Sequence, residues 1–340
     1  MGRKSHQLVL DKELLEMLAS LKILCAYILD RLIGDPRWIP HPVVGMGKAI
    51  SQLEQWLNRF VKQNDWRNET HRWPLRILGM LFPLLIAGGV FVISYYLIAW
   101  LYAWNEWLGW TVEVILIATT IATKGLAEAG EAIYRALRSG DLRQARYALS
   151  MVVGRDTDDL DEPEIVRGGV ETIAENIVDA VSSPLFYAFL GGAPLALAYR
   201  AVNTLDSMVG YRNERYLHLG WASARLDDIA NWLPARLTIV PMLLALAVLR
   251  LDYRFAWRVM QRDAHRHPSP NSGIPEAIMA GGLHIQLGGV NKYQGRVSRR
   301  AQLGEPLEMR KDEHLLSAIR VLYWTTMFYV GIITLICFII

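Results

Sequence analysis

Residues 154–236 read GRDTDDLDEPEIVRGGVETIAENIVDAVSSPLFYAFLGGAPLALAYRAVNTLDSMVGYRNERYLHLGWASARLDDIANWLPAR. Carboxylates, arginines and asparagines recur here at helical spacing beside long apolar runs. In hydrocarbon each such group is expensive unless it has a partner or a task. A water-soluble domain has no need of the apolar runs, and a plain anchor has no need of the charges. The stretch therefore reads as an active site built at a membrane surface.

Its acids fall into three groups. Asp156, Asp158, Asp159, Asp161 and Glu162 form an acidic loop with Pro163 just inside the next helix, where capping accounts for most of them. In the helix from Glu164 to Val181, Glu171, Glu175 and Asp179 are spaced i, i+4, i+8 and fall within about 80° of one face. Like charges at this spacing repel. A divalent cation, facing arginines or water must compensate them, and a solvated face is the plain alternative. Pro194 opens a second helix, on which Tyr199, Asn203, Asp206 and Gly210 share a face. A third, Ala222 to Leu233, is expected to end at Pro234 and carries Arg225, Asp227, Asp228 and Asn231. Hard oxygen ligands of this kind suit Mg²⁺ shared with substrate phosphate. Glu171, Glu175, Asp179, Asp206, Asp227 and Asp228 are the candidate metal ligands, with Glu175, Asp206 and Asp228 also candidate catalytic groups. Between the second and third helices, Arg212 and Arg215 offer planar forks that match phosphate oxygens, or form a surface ion-pair cluster.

Working outward, the chain has 340 residues, 52% of them hydrophobic. Its positive mean hydropathy favours a single multi-span membrane domain over two soluble ones. The net charge of +3 gives no reason to expect a nucleic-acid partner. Cys25 and Cys337 lie in apolar segments and read as buried thiols. Candidate spans are 14–33, 77–104, 107–123, 182–199, 237–249 and 321–340. The second runs 28 residues without a charge. The third holds one acid, Glu113, which either reaches headgroup water from near a helix end or carries a task. Segment 182–199 is broken by Gly191-Gly192-Ala193-Pro194, and 237–249 is short and holds Pro241. Broken apolar helices are tolerated where they line a cavity. Basic segments on both sides of the site ask to be cytoplasmic, which makes 237–249 re-entrant, interfacial or half-spanning unless one of those segments lies on the other side. The expected fold is all-α, a multi-pass helical protein with broken or re-entrant helices around a polar site.

Two loops join that site. The proline-rich 34–43 loop carries Asp35 and His41, lining the site or merely connecting. The polar, glycine-rich 265–295 segment carries His267 and Asn271, and its glycines let backbone approach a ligand. Walker A is absent: Gly45-Met46-Gly47-Lys48 lacks its spacing and its Ser/Thr.

LIGDPRWIPHPVVGMGKAI, VVGRDTDDLDEPEI, the VETIAENIVDAVSSPLF run through NERY, ASARLDDIANWLPARL and HPSPNSGIPEAIMAGGLHIQLGG together resemble the CobD/CbiB proteins of cobalamin biosynthesis, the adenosylcobinamide-phosphate synthases. The segment GRVSRRAQLGEPLEMRKDE fits that pattern only loosely. The resemblance implies an inner-membrane enzyme with its site on the cytoplasmic side. It would join the amine of 1-aminopropan-2-ol O-phosphate, or of aminopropanol, to the propionate carboxyl of adenosylcobyric acid, with ATP and Mg²⁺ as the driving couple. No catalytic residue is carried over from it. Amide formation from a carboxylate needs the departing oxygen phosphorylated, hence metal ligands, cations for phosphate and a base for the ammonium. Arg212, Arg215, Arg225 and Arg236 are the candidate phosphate cations, with Asn203, Asn271, Asp35 and His41 beside substrate. His267 is the candidate base, or a structural loop histidine. Contact with other corrin-pathway proteins and oligomerisation stay open. Two rivals remain: a Mg²⁺-dependent membrane transferase acting on a diphosphate lipid, and a non-enzymatic membrane sensor or transporter.

Overall fold

A computed structural model describes residues 21–34, 41–64, 71–211, 213–293 and 295–339. Asp35 and Arg212 lie outside the described residues, as do parts of the 14–33 and 34–43 stretches. Helix α1 (21–32) precedes α2 (Pro42–Gln63), which starts on Pro42 and is capped by His41, whose Nδ1 accepts the Val43 N–H at 3.2 Å. Helix α3 (Arg72–Gly79) leads through a π-helical turn, Pro83–Ala87, into α4 (Gly88–Trp104). Pro83 has no N–H for the ladder, and the wider turn absorbs the mismatch. Asn105 then breaks the run and caps α5 (Glu106–Ala118) by accepting the Leu108 N–H at 3.0 Å.

Helices α6 (Thr123–Arg138) and α7 (Leu142–Ser150) part at Gly140, whose φ is 76°. The acidic loop ends as expected: Asp161 caps α8 (Glu162–Ile177) by accepting the Glu164 N–H at 3.0 Å. A second π-turn, Val178–Ser182, enters α9 (Ser183–Val209), broken at Gly191 and Gly192. Next come α10 (Trp221–Ala230) and α11 (Trp232–Leu237). The expected stop at Pro234 does not occur. Pro234 sits in the first turn of α11, where an N–H has no intrahelical acceptor to lose. After a 42° bend comes α12 (Ile239–Val248). Then follow α13 (Tyr253–Asp263), α14 (Gly273–Gly282), the antiparallel strands β1 (Leu287–Tyr293) and β2 (Arg296–Leu303), and α15 (Glu313–Ile339).

The chain forms two compact units. The first is Met1–Ile121, Ser183–Ala230 and Ile333–Ile340; the second is Ala122–Ser182 and Asn231–Ile332. In the first, Phe82, just before the π-turn, and Ile86 within it pack with Ile50 and Leu57 of α2 and with Leu197, Ala201 and Leu205 at i, i+4, i+8 on α9. Glu113 neither reaches water nor stands alone. It is 6% exposed, pairs with Lys22 Nζ at 2.7 Å and accepts the Tyr102 hydroxyl at 2.8 Å. Its other oxygen accepts the Ala193 N–H at 3.4 Å, so the acid caps the second limb of α9. Gly192 has φ 63° and ψ −157°, and a Cβ there would overlap Glu113 Oε1. The helix break is thus where the carboxylate meets backbone.

In the second unit, every residue of α14 is buried, packed by α8 and α13. The β-hairpin replaces what the sequence suggested was a glycine-rich loop. Its pairing shifts register between Leu287 and Gly289, at Gly288 with φ 79°.

Four helical runs are long and apolar enough to cross a membrane: Arg72–Trp104, Glu106–Arg138, Glu162–Val209 and Glu313–Cys337. Trp221–Leu237 with Ile239–Val248 makes a fifth if the bent pair is one span. The expected spans 182–199 and 237–249 are therefore limbs of longer or bent runs. Ile93, Trp104 and Trp107 are 71%, 70% and 76% exposed, an apolar surface that water would not tolerate but lipid does. The protein is an all-α multi-pass membrane protein with a small β-hairpin.

Candidate functional site

In the second unit, Glu164, Arg167, Glu171 and Glu175 follow one another at three- and four-residue steps along α8 and so form one stripe. Glu171 is met by two guanidiniums: Arg155 Nη2 lies 2.8 Å from Oε2, and Arg167 Nη1 donates to Oε1 at 3.2 Å. The Gly288 N–H also donates to Oε1, at 2.8 Å. Arg167 is 1% exposed and donates further to Glu164, to the Gly288 carbonyl, and to the Val290 carbonyl and Asn291 Oδ1 at 2.9 Å each. Arg155 reaches the same Asn291 oxygen. A Cβ on Gly168 would overlap the Arg155 guanidinium, so the smallest residue is needed where the arginine passes α8. Of the three compensations open to Glu171, arginine is the one it has.

One turn on, Glu175 is half-buried and accepts the Ser272 hydroxyl at 3.2 Å. Asp179 lies in the π-turn, half-buried. Glu276 on α14 is 2% exposed, and its Oε1 has no hydrogen bond. His267 Nε2, equally without one, is 3.5 Å away. The Ser269 N–H donates to His267 Nδ1 at 3.0 Å, which leaves Nε2 facing the Glu276 carboxyl. Burial drives the Glu276 carboxyl well above the usual range; Glu171 and Glu175 add to this, against Arg300 and Arg155. Burial lowers His267, opposed by Glu175 and reinforced by Arg300. Arg300 donates to the Tyr293 hydroxyl at 3.1 Å. Burial works against its charge, but Tyr293 and the three glutamates outweigh burial and hold it above its ordinary value. Arg236 stacks 4.3 Å from the Trp232 ring and donates to buried Asn271 Oδ1 at 3.3 Å.

In the first unit, Asn203 Nδ2 on α9 donates to Asp227 Oδ1 on α10 at 3.5 Å, and Arg200 donates to Asn203 Oδ1 at 3.4 Å. Asp206, half-buried, accepts the Gly210 N–H on its backbone carbonyl at 2.8 Å. Asp228 pairs with Arg225 at 3.3 Å. These last two line a cavity of about 330 Å³ together with Arg76, Tyr211, Tyr216 and Trp221. Arg215 is committed elsewhere, to Glu54 at 2.6 Å. Tyr216 also donates to Glu54, and burial together with that carboxylate pushes its phenol up to about 12. His41 serves α2 as its cap.

The structure thus joins Glu175 to the loop holding His267 and Asn271, with Arg236 on that loop, in one unit. In the other it joins Asn203 to Asp227, and Arg225 to Asp228. It also supplies groups that the sequence reading passed over. Arg155 was masked by the acids after it. Arg167 could have been found, being four residues before Glu171. Glu276 is a lone acid inside an apolar helix, the same signal that exposed Glu113. Arg300 and Arg76 become visible only once chain-distant partners are placed.

Among the described residues, no three His, Cys, Asp or Glu side chains come together as a ready metal cage. Mg²⁺ needs less, since one or two carboxylates with water and phosphate oxygens complete its octahedron. Asp227 beside Asn203, and Asp228 at the mouth of a two-arginine cavity, fit that mode. Glu171, filled by guanidiniums, does not.

The family model described as CobD/Cbib protein matches residues 23–322. The chain is 51% identical over 283 residues to the "Cobalamin biosynthesis protein CobD" of Halalkalibacterium halodurans, covering 83% of this chain and 85% of that one. It is 48% identical over 301 residues to the protein of the same name from Geobacter metallireducens, covering 88% and 91%. It is 42% identical over 298 residues to the "Cobalamin biosynthesis protein CbiB" of Salmonella paratyphi B, covering 88% and 91%. No solved structure matches. With a family match over nearly its whole length and relatives of this identity, the chain belongs to the CobD/CbiB family.

Proposed function

We propose that this protein is the amide-forming enzyme of cobalamin biosynthesis. It joins the amine of 1-aminopropan-2-ol O-phosphate, or of aminopropanol, to the propionate carboxyl of adenosylcobyric acid, giving adenosylcobinamide phosphate from the first or adenosylcobinamide from the second, at the cytoplasmic side of the inner membrane. The observation that carries this reading is the family match across residues 23–322, which includes every candidate site residue. The polar groups found inside an otherwise apolar chain support it.

MgATP, when bound, supplies the phosphoryl group that makes the propionate oxygen a leaving group. Asp227 would hold the metal, with Asn203 orienting it through its amide. Arg225 would neutralise phosphate. Glu171 serves to fix Arg155 and Arg167, and so the β1 edge, in place.

The test is direct. Purified protein in lipid nanodiscs, given adenosylcobyric acid, either amine, ATP and Mg²⁺, should yield adenosylcobinamide phosphate or adenosylcobinamide by mass spectrometry. No product with either amine and any nucleoside triphosphate would rule the reaction out.

A further inference from the structure

In the 330 Å³ cavity of the first unit, Arg76 is held as few arginines are. Its guanidinium lies between two indoles, 5.3 Å from the Trp73 ring and 5.1 Å from the Trp221 ring. Its Nε is sealed from solvent without a hydrogen bond. Among the described residues no carboxylate forms an ion pair with it. Stacking on two indoles offsets part of the loss of hydration, at roughly 0.5–2 kcal/mol per ring. It leaves the in-plane N–H fork unused, because cation–π contact is made by the faces and hydrogen bonds by the edges. A half-buried guanidinium whose Nε is shut off from solvent and unbonded is an incomplete ion pair, and what completes it is an anion with planar or tetrahedral oxygens.

The rest of the cavity narrows the choice. Among the described residues of its lining, Arg225 is a second cation and Asp228 the one carboxylate, so their excess charge is positive. Tyr216 cannot swing away, since its hydroxyl donates to Glu54. The volume is at the small end of ligand pockets: enough for a short alkyl phosphate, too small for a macrocycle. Asp228 with the aromatic walls offers the complementary end, a place for an ammonium.

We propose that this cavity binds a small amino-alkyl phosphomonoester, with Arg76 as the principal ligand of its phosphate and Asp228 facing its ammonium. Naming the amine substrate as that molecule rests on the reaction proposed above, whereas the anion site does not. The same phosphate chemistry could come from a lipid headgroup, but a diester carries a single charge and two acyl chains that the cavity has no room for.

Binding to the full-length protein in phosphatidylcholine nanodiscs is measured by calorimetry with 1-aminopropan-2-ol O-phosphate, with aminopropanol, and with phosphatidylglycerol added to the discs. Arg76→Gln should weaken the phosphomonoester by roughly tenfold or more, the loss of a charged hydrogen-bonded fork, and leave aminopropanol unchanged. Arg76→Lys should recover only part of it, since charge returns without the fork. A readout in the unaltered side chain guards against misfolding: the phosphomonoester should change tryptophan fluorescence, and Trp221→Phe should remove most of that change. Equal affinity in wild type and Arg76→Gln, or an Arg76-dependent response only to phosphatidylglycerol, would overturn the assignment. Turnover with an unchanged KM for the amine in Arg76→Gln would sink the site and leave the reaction standing. Arg76-dependent binding without any turnover would do the reverse.

Discussion

Single side chains in this protein divide by what satisfies them. Glu171 meets Arg155, Arg167 and a backbone N–H, and all three residues are less than 9% exposed. Replacing it by Gln removes the ion-pair partner of Arg155, while Arg167 keeps Glu164, so Glu171→Gln is expected to destabilise the fold by about 3 kcal/mol. Thermal unfolding in detergent, followed by tryptophan emission, measures it, and an unchanged midpoint refutes the reading. Glu276 is the opposite case, a carboxyl kept protonated because burial outweighs Arg300 and Arg155. It binds its proton more tightly folded than unfolded. Its contribution is therefore complete below the unfolded carboxyl range and lost as pH rises through the raised folded value. The wild-type melting temperature should fall on the alkaline side of that value, and Glu276→Gln, with no proton to lose, should flatten the profile there. His267, held neutral by burial, acts with the other sign: its contribution is present above the ordinary histidine range and lost as pH falls. At this scale the sequence told which residues were costly, through spacing and surroundings. It could not tell which neighbour answered each, because Arg155 with Asn291, and Glu276 with His267, meet only through folding.

Elements were legible where local chemistry decides them. Asn105 and Asp161 mark helix starts and Gly140 marks a stop, whereas Pro42, read as part of a loop, opens α2. Two further outcomes escaped. Pro234 looked like a stop and is instead absorbed in a first turn. Residues 265–295 looked like a glycine-rich loop, yet their end pairs with 296–303 as a hairpin, since strand pairing is settled by a partner strand and by Arg167 donating to the Gly288 and Val290 carbonyls. The break in α9 was legible as a break, but its purpose was not: it lets Glu113 reach the Ala193 N–H. Gly192→Ala should therefore do more than strain the backbone. It needs a dihedral region open essentially to glycine alone, at about 1–3 kcal/mol, and it pushes Glu113 off its oxygen position. A thermal midpoint within error of wild type would contradict this.

For the molecule as a whole, the membrane class followed from composition, and the helical runs confirm it. Trp104 and Trp107 flank the polar turn at Asn105 with most of each side chain exposed, which is where an interfacial aromatic belt belongs. Brominated lipids carrying the halogen near the headgroup should quench these two more than those with it at the chain end, tested by Phe replacement of each. Which polar groups form a catalytic set was less legible, because helices far apart in sequence had to be placed first.

The tie between α8 and the β1 edge has a practical corollary. Mobile ions act over a Debye length of about 8 Å at physiological strength, but only through water. Arg167, 1% exposed among its acceptors, is out of their reach, while Arg215 with its 58% exposed side chain on Glu54 is not. Raising the ionic strength of a purification buffer should loosen the Tyr216 loop and leave the Glu171 cluster intact.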